Sequence, residues 1–202
     1  MNFQLFQTEL RPLLVFTTGD IRKVDPAFSE VNLSNWRNKG YIKKLAKGCY
    51  TFGDITIDRP LLFYAANKLT DPSYVSCESA LSFFGLLKIE DALTSVSSVK
   101  SNDFKSDYGG FKFHYGKPKM MNGFVLVETH GHRARVARPE KAMADFLYFN
   151  AKYQTREAIR TLPFEESAFD DFDFHLFKHY SYEISNEQYS LRIRNFINIY
   201  EA

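Results

Sequence analysis

With 202 residues, 45% hydrophobic and 16% aromatic, the chain has ample material for a packed core and suits one large domain or two small ones. A formal net charge of +2 excludes a uniformly basic nucleic-acid coat, so any affinity for polyanions must come from local charge. The longest apolar runs, "LLVF" (13–16) and "LLFYAA" (61–66), fall far short of the roughly 18 residues of a membrane span, and Glu9 sits where a secretory leader is basic. A soluble cytoplasmic protein without a membrane partner is expected. Cys49 and Cys77 match neither a zinc nor a disulfide spacing and read as packing thiols in a reducing compartment.

Phe3, Phe6, Leu10 and Leu13 recur at helical spacing and predict an opening amphipathic helix that ends near Pro12. "TTGDIRKV" offers Thr17 or Thr18 as a cap with Asp20 in the first turn, and Asp25-Pro26 stops this second helix. A third helix of about three turns follows, with Ser29 as cap, Leu33 and Trp36 facing inward and Gly40 as the stop. The pattern then changes: Tyr41, Ile42 and Leu45 before "AKG" and Cys49, Tyr50 and Phe52 after it predict two short strands turning at Gly48. Three helices and a hairpin is the order of a winged helix-turn-helix, placed at residues 1–56.

A helix opening at Pro60, a break at "DPS" (71–73), and a helix capped by Ser76 and ended by Gly85 begin the second unit, residues 57–202. From about residue 93, "LTSVSSVKS", "GGFKFHYGK" and "GFVLVETHGHRARVAR" predict a small antiparallel sheet, its last hairpin turning at His130-Gly131-His132. Pro139 opens a strongly apolar helix, and further helices are predicted in "TREAIRTL", "SAFDDFDFHLFKHY" and "NEQYSLRIRNFINIY". Residues 160–187 hold seven acids against Arg160 and Lys178, so the chain is basic near its front and acidic near its end. The fold class expected is α+β: an N-terminal winged helix followed by a mixed domain with a small antiparallel sheet and several helices.

The densest charge lies in residues 35–48, which carry Arg37, Lys39, Lys43, Lys44 and Lys47 and no acid. With Leu33 and Trp36 inward, Asn32, Ser34, Asn35, Asn38 and Lys39 take outward or flanking arcs of the third helix, where asparagine amides suit adenine edges. Arg37, Lys39, Lys43, Lys44 and Lys47 are then placed to neutralise phosphates. Glu128, His130 and His132 alternate and, on one strand, would share a face able to grip a metal, but a His-Gly-His turn reads better as solvated loop chemistry and no metal is assigned. Asp170, Asp171 and Asp173, interleaved with Phe169, Phe172 and Phe174, read as the acidic outer face of a helix rather than a metal-dependent hydrolytic site. With no nucleophile elbow, phosphate loop or kinase motif, neither a cofactor nor an enzymatic activity is expected.

Three ordered motifs carry a family resemblance. The hairpin pattern "xxGxIxxLxxGxY" is matched by Lys39 to Tyr50, "YVSxxSAL" by Tyr74 to Leu81, and "A-x-PEKAxxD" by Ala137 to Asp145. In these the chain resembles the AbiEi family of antitoxins over about residues 10–150. The resemblance implies a bacterial transcriptional autorepressor that binds double-stranded DNA at its own promoter through the winged helix. It further implies a role as antitoxin to a neighbouring nucleotidyltransferase-like toxin in abortive phage infection, with antitoxicity in the C-terminal domain. The alternative is a protein-interaction module whose acidic C-terminal region neutralises a basic partner, with no DNA role.

Overall fold

The computed structural model describes residues 1–88, 92–99, 101–165, 167–182, 184 and 186–201. Helix α1 (Phe3–Leu10) starts where the Asn2 side chain accepts the Leu5 N–H at 2.9 Å, and it buries Phe6 and Leu10. After a 3₁₀ turn at Arg11–Leu13, β1 (Val15–Thr17) runs directly into α2 (Thr18–Val24). The join is a reciprocal capping box in which the Thr17 hydroxyl accepts the Asp20 N–H and the Asp20 carboxylate accepts the Thr17 N–H. Burial pushes the Asp20 carboxyl up, but these bonds from Thr17 outweigh it and leave its pKa below the ordinary value.

Helix α3 (Val31–Asn38) is eight residues long, little more than two turns, and Ser29 does not cap it. Asp25 instead organises a turn ahead of the helix, accepting the Ala27 N–H on its side chain and the Phe28 N–H on its carbonyl, so entry shifts to Glu30. Gly40, at φ +72°, ends the element. Strands β2 (Ile42–Ala46) and β3 (Cys49–Phe52) form the expected hairpin, and β1 adds to β3, giving an antiparallel sheet of order β1-β3-β2. Strand alternation gives this sheet two faces. Phe16, Ile42 and Phe52 pack with Phe6, Leu33 and Trp36 in one cluster, whereas Val15, Leu45 and Cys49 join the larger core that also contains Leu61 and Ala65.

The larger core is built on α4 (Arg59–Leu69), β4 (Ser73–Val75), α5 (Cys77–Phe83), β5 (Leu93–Ser97), β6 (Asn102–Phe104), β7 (Phe111–Tyr115), β8 (Phe124–Thr129) and β9 (His132–Ala137). Its sheet has the order β6-β7-β5-β4-β9-β8. The expected small antiparallel sheet is therefore corrected to a six-stranded mixed one: β4 runs parallel to β9, and β5 parallel to β7. Two short strands account for the difference. Residues 73–75, which begin at the last residue of the predicted break, form the wholly buried strand β4, and β6 steps past the neighbouring position so that β7 returns alongside β5 in the same direction.

Helix α6 (Pro139–Phe149) covers this sheet and is packed in turn by α8 (Phe174–Tyr182) and α9 (Glu187–Tyr200), with α7 (Arg156–Arg160) beside α9. The buried Arg192 of α9 donates from Nε to the Leu147 carbonyl at 2.7 Å, satisfying the end of α6. Asp170 and Asp171 are not on the face of a helix. Residues 167–171 are turns, α8 begins only at Phe174, and Asp173 accepts the Leu176 N–H at 2.9 Å as its cap while Phe169, Phe172 and Phe174 cluster with Phe196.

Candidate nucleic-acid interface

On α3, Leu33 and Trp36 are buried, and this fixes the rest of the helix. Ser34, Asn35, Arg37, Asn38 and Lys39 are exposed and Asn32 is half-buried, so the polar side chains singled out in the sequence share the outward surface of a short helix. Lys39 turns towards the hairpin root, with Nζ 5.9 Å from the centre of the Tyr41 ring.

The hairpin lysines divide between its two faces. Lys43 pairs with Thr51 and Lys44 with Tyr50, so alternation puts Lys44 on the helix side with Ile42 and Tyr50, and Lys43 on the side of Leu45. Lys43 donates from Nζ to the Ile55 carbonyl at 2.9 Å, tying the strand to the segment leading into α4. Lys47 stands exposed beside Gly48 at the tip, which is fixed by the Thr18 N–H donating to the Gly48 carbonyl at 3.0 Å. The positive φ of Gly48, +74°, makes the tight return possible.

Lys44 and Lys47 line an open hollow of about 940 Å³ together with Arg22, Tyr50 and β6. A second hollow of about 430 Å³ adjoins it and holds Arg37, Lys44 and Lys105. Arg22 is paired with Glu30 at 2.7 Å, but among the described residues Arg37, Lys44, Lys47 and Lys105 form no ion pair. Burial raises the Tyr50 phenol pKa, partly offset by the nearby Arg37 guanidinium. The arrangement is an open groove lined by Tyr50 and by more cations than acids, the acids being Glu30, Asp103 and Asp107. Lys105 was not among the residues singled out from sequence, since it lies about sixty positions from the hairpin and no local pattern links the two.

The other candidate constellations do not assemble. His130 and Gly131 form a two-residue turn with φ of +46° and +77°, which breaks the alternation that would align Glu128, His130 and His132. Glu128 pairs with Arg133 at 2.9 Å, while His132 packs against the Tyr64 ring at 5.1 Å. Among the described residues no three His, Cys, Asp or Glu side chains are grouped to hold a metal, and no helix is long and apolar enough to cross a membrane. Both thiols are buried: burial pushes Cys49 up to about 12, and Cys77, at a strand-to-helix turn with φ +50°, well above its ordinary value, so neither is poised as a nucleophile.

Away from the groove, two of the sequence motifs meet inside the protein. Asp145, fully buried on α6, accepts hydrogen bonds at Oδ2 from the Tyr74 hydroxyl at 2.8 Å and the Ser76 hydroxyl at 2.7 Å, and pairs at Oδ1 with the Lys141 ammonium. Lys141 Nζ also lies 5.2 Å from the centre of the Tyr74 ring. Ser76 occupies the cap position of α5, but its hydroxyl is committed to Asp145 instead. Burial, with the adjacent Asp145 carboxylate, drives the Tyr74 pKa far upward, so this phenol stays protonated as a donor.

Compared with known proteins, the chain matches no protein-family model and no curated protein sequence. The resemblance to AbiEi antitoxins therefore stands on the three motifs, and their residues serve the fold: Gly40 and Gly48 turn the chain, Ile42, Leu45 and Tyr50 are core, and Tyr74, Ser76, Lys141 and Asp145 form the buried network.

Proposed function

We propose that the chain is a DNA-binding transcriptional regulator whose first 56 residues act as a winged helix-turn-helix, with α3 presented to the major groove and the β2–β3 hairpin lying along the backbone. The observation that carries this reading is the convergence of the unpaired cations Arg37, Lys44 and Lys47 beside the exposed polar face of α3. In it Asn32, Ser34, Asn35 and Asn38 read base edges, whereas Arg37, Lys44 and Lys47 neutralise phosphates. Lys39 flanks the site, and Lys43 holds the root of the wing through Ile55. The motif resemblance extends the proposal to an autorepressing antitoxin encoded beside a nucleotidyltransferase-like toxin, with residues 57–202 as its effector region.

The test is a fluorescence-anisotropy titration of the full chain against a duplex from upstream of its own reading frame and a scrambled duplex. Lys44→Ala is expected to weaken both and to flatten the salt dependence by about 0.9 in log–log slope, the yield of one phosphate contact. Lys43→Ala is expected to leave the slope unchanged, since its side chain lies on the opposite face of the hairpin, outside the groove, and is bonded to the Ile55 carbonyl. Asn35→Ala should narrow the preference between the duplexes. Equal slopes for Lys44→Ala and the parent chain would remove the wing from the DNA site. A second reading, capture of a basic protein partner, is favoured by the exposure of Asp170 and Asp171 in the turn before α8. Salt-sensitive co-purification with the neighbouring gene product, in a chain that binds no duplex, would select it.

A further inference from the structure

The groove is not enclosed by the winged-helix segment. Its larger hollow is bounded on one side by Arg22, Lys44, Lys47 and Tyr50, and on the other by the edge strand β6 of the six-stranded sheet and Lys105 just after it. Lys105 lines this hollow and the adjoining one, where Arg37 and Lys44 also reach.

Of the acids nearby, Glu30 is paired with Arg22, while Asp103, opposite Lys112 in the β6–β7 register, is exposed and lines the larger hollow. Among the described residues Asp103, in the larger hollow, and Asp107, in the adjoining one, form no ion pair, and the two hollows hold four cations that form none either: Arg37, Lys44, Lys47 and Lys105. Across the two hollows together these cations outnumber the unpaired carboxylates by four to two, with Lys105 the one cation contributed by the second wall, and a groove with a surplus of positive charge suits a phosphate backbone.

Resting on the DNA-binding reading above, we infer that the DNA site is composite: β6 and the turn after it form its second wall, and Lys105 takes a backbone phosphate beyond those reached by α3 and the wing. The second unit is then part of the DNA-binding surface and sets its footprint, and one face of the duplex is read by Asn35 and its neighbours while its backbone is held from both sheets.

The experiment uses the full chain and a duplex from upstream of its reading frame, titrated by anisotropy at a series of salt concentrations. Lys105→Ala is expected to lower the log–log salt slope by about 0.9, which at ~0.1 M salt corresponds to roughly eightfold weaker binding when referred to 1 M. Lys117→Ala, which removes the same charge from an exposed position outside the groove, is expected to bind as the parent does. Because Lys105 is exposed, the variant should keep its far-ultraviolet circular dichroism. If Arg37→Ala/Lys44→Ala/Lys47→Ala loses affinity while Lys105→Ala keeps both affinity and slope, the second wall is overturned and the winged-helix reading survives. If the parent chain binds no duplex at low salt, both fall together.

Discussion

Replacing Asp145 by Ala strands three groups that no water can reach. Asp145 is fully buried and Lys141 is 2% exposed, so the variant leaves an ammonium without its carboxylate and the Tyr74 and Ser76 hydroxyls without their acceptor. Removing one partner of a buried ion pair costs about 3–5 kcal/mol, and an unsatisfied buried hydroxyl about 1–3 kcal/mol. These contributions overlap because all three groups share one acceptor, and about 4–6 kcal/mol is expected in total. That is a large part of a typical stability of about 5–15 kcal/mol, and at about 2–4 °C per kcal/mol it lowers Tm by about 10–20 °C. The assay is equilibrium urea unfolding followed by far-ultraviolet circular dichroism, because Trp36, the single tryptophan, lies in the other cluster. Asp145→Asn combined with Lys141→Met should be more stable than Asp145→Asn by itself, since the second change removes the unpaired charge. A loss below about 1 kcal/mol for Asp145→Ala, or strict additivity in the Asn/Met pair, would refute the network as an organising feature of this core.

Two further outcomes are expected. The His114 ring stacks on Phe149 at 4.5 Å, and its pKa is lowered by burial and then by Lys112. The folded chain therefore takes up this proton less readily than the unfolded one, so its contribution to stability is complete above the ordinary value of 6.5 and is lost as pH falls through the lower folded-state pKa. His114→Phe should flatten unfolding midpoints measured across that window, and an unchanged slope would show that another group titrates there. At Gly53 a Cβ would stand 1.9 Å from the Gly40 carbonyl oxygen, and the Gly53 N–H donates to Tyr41 at 2.8 Å. Gly53→Ala should cost about 2 kcal/mol or more by forcing backbone apart where α3 meets the hairpin, whereas Gly40→Asn, with open space and a left-handed backbone that Asn tolerates, should cost less than about 1 kcal/mol. Urea midpoints for the two variants measure the difference.

Elements whose ends are set by neighbouring residues were legible in the sequence. The Thr17–Asp20 box, Pro60, Gly40 and Gly48 each act within a few positions, and the structure places helix starts, a helix stop and a turn at them. Elements held by distant partners were not. Three-residue strands such as β4 and β6 show no period of their own, and β4 is a strand because Tyr74 and Val75 are clamped between β5 and β9. The Asp170 region failed for a related reason: the alternation of Phe and Asp fits a helix face, yet Asp173 satisfies a helix N-terminus and the rings collapse around Phe196, so the helix starts late.

The candidate site divides along the same line. Five basic residues between positions 37 and 47 were visible as one cluster, but adjacency in a strand is opposition in space, and Lys43 and Lys44 leave the sheet on different sides. The motif through this hairpin fixes Gly40, Ile42, Leu45, Gly48 and Tyr50, all of them turn or core positions, and leaves positions 43, 44 and 47 unspecified. A chain that kept those five residues and replaced Arg37, Lys44 and Lys47 would build the same three-stranded sheet with a groove left only the Arg22–Glu30 pair and Lys105 against Asp103 and Asp107. Fold and charge are thus separable in this hairpin: the motif positions turn the chain and fill the core, and in the DNA-binding proposal the phosphate contacts come from the charge carried between them.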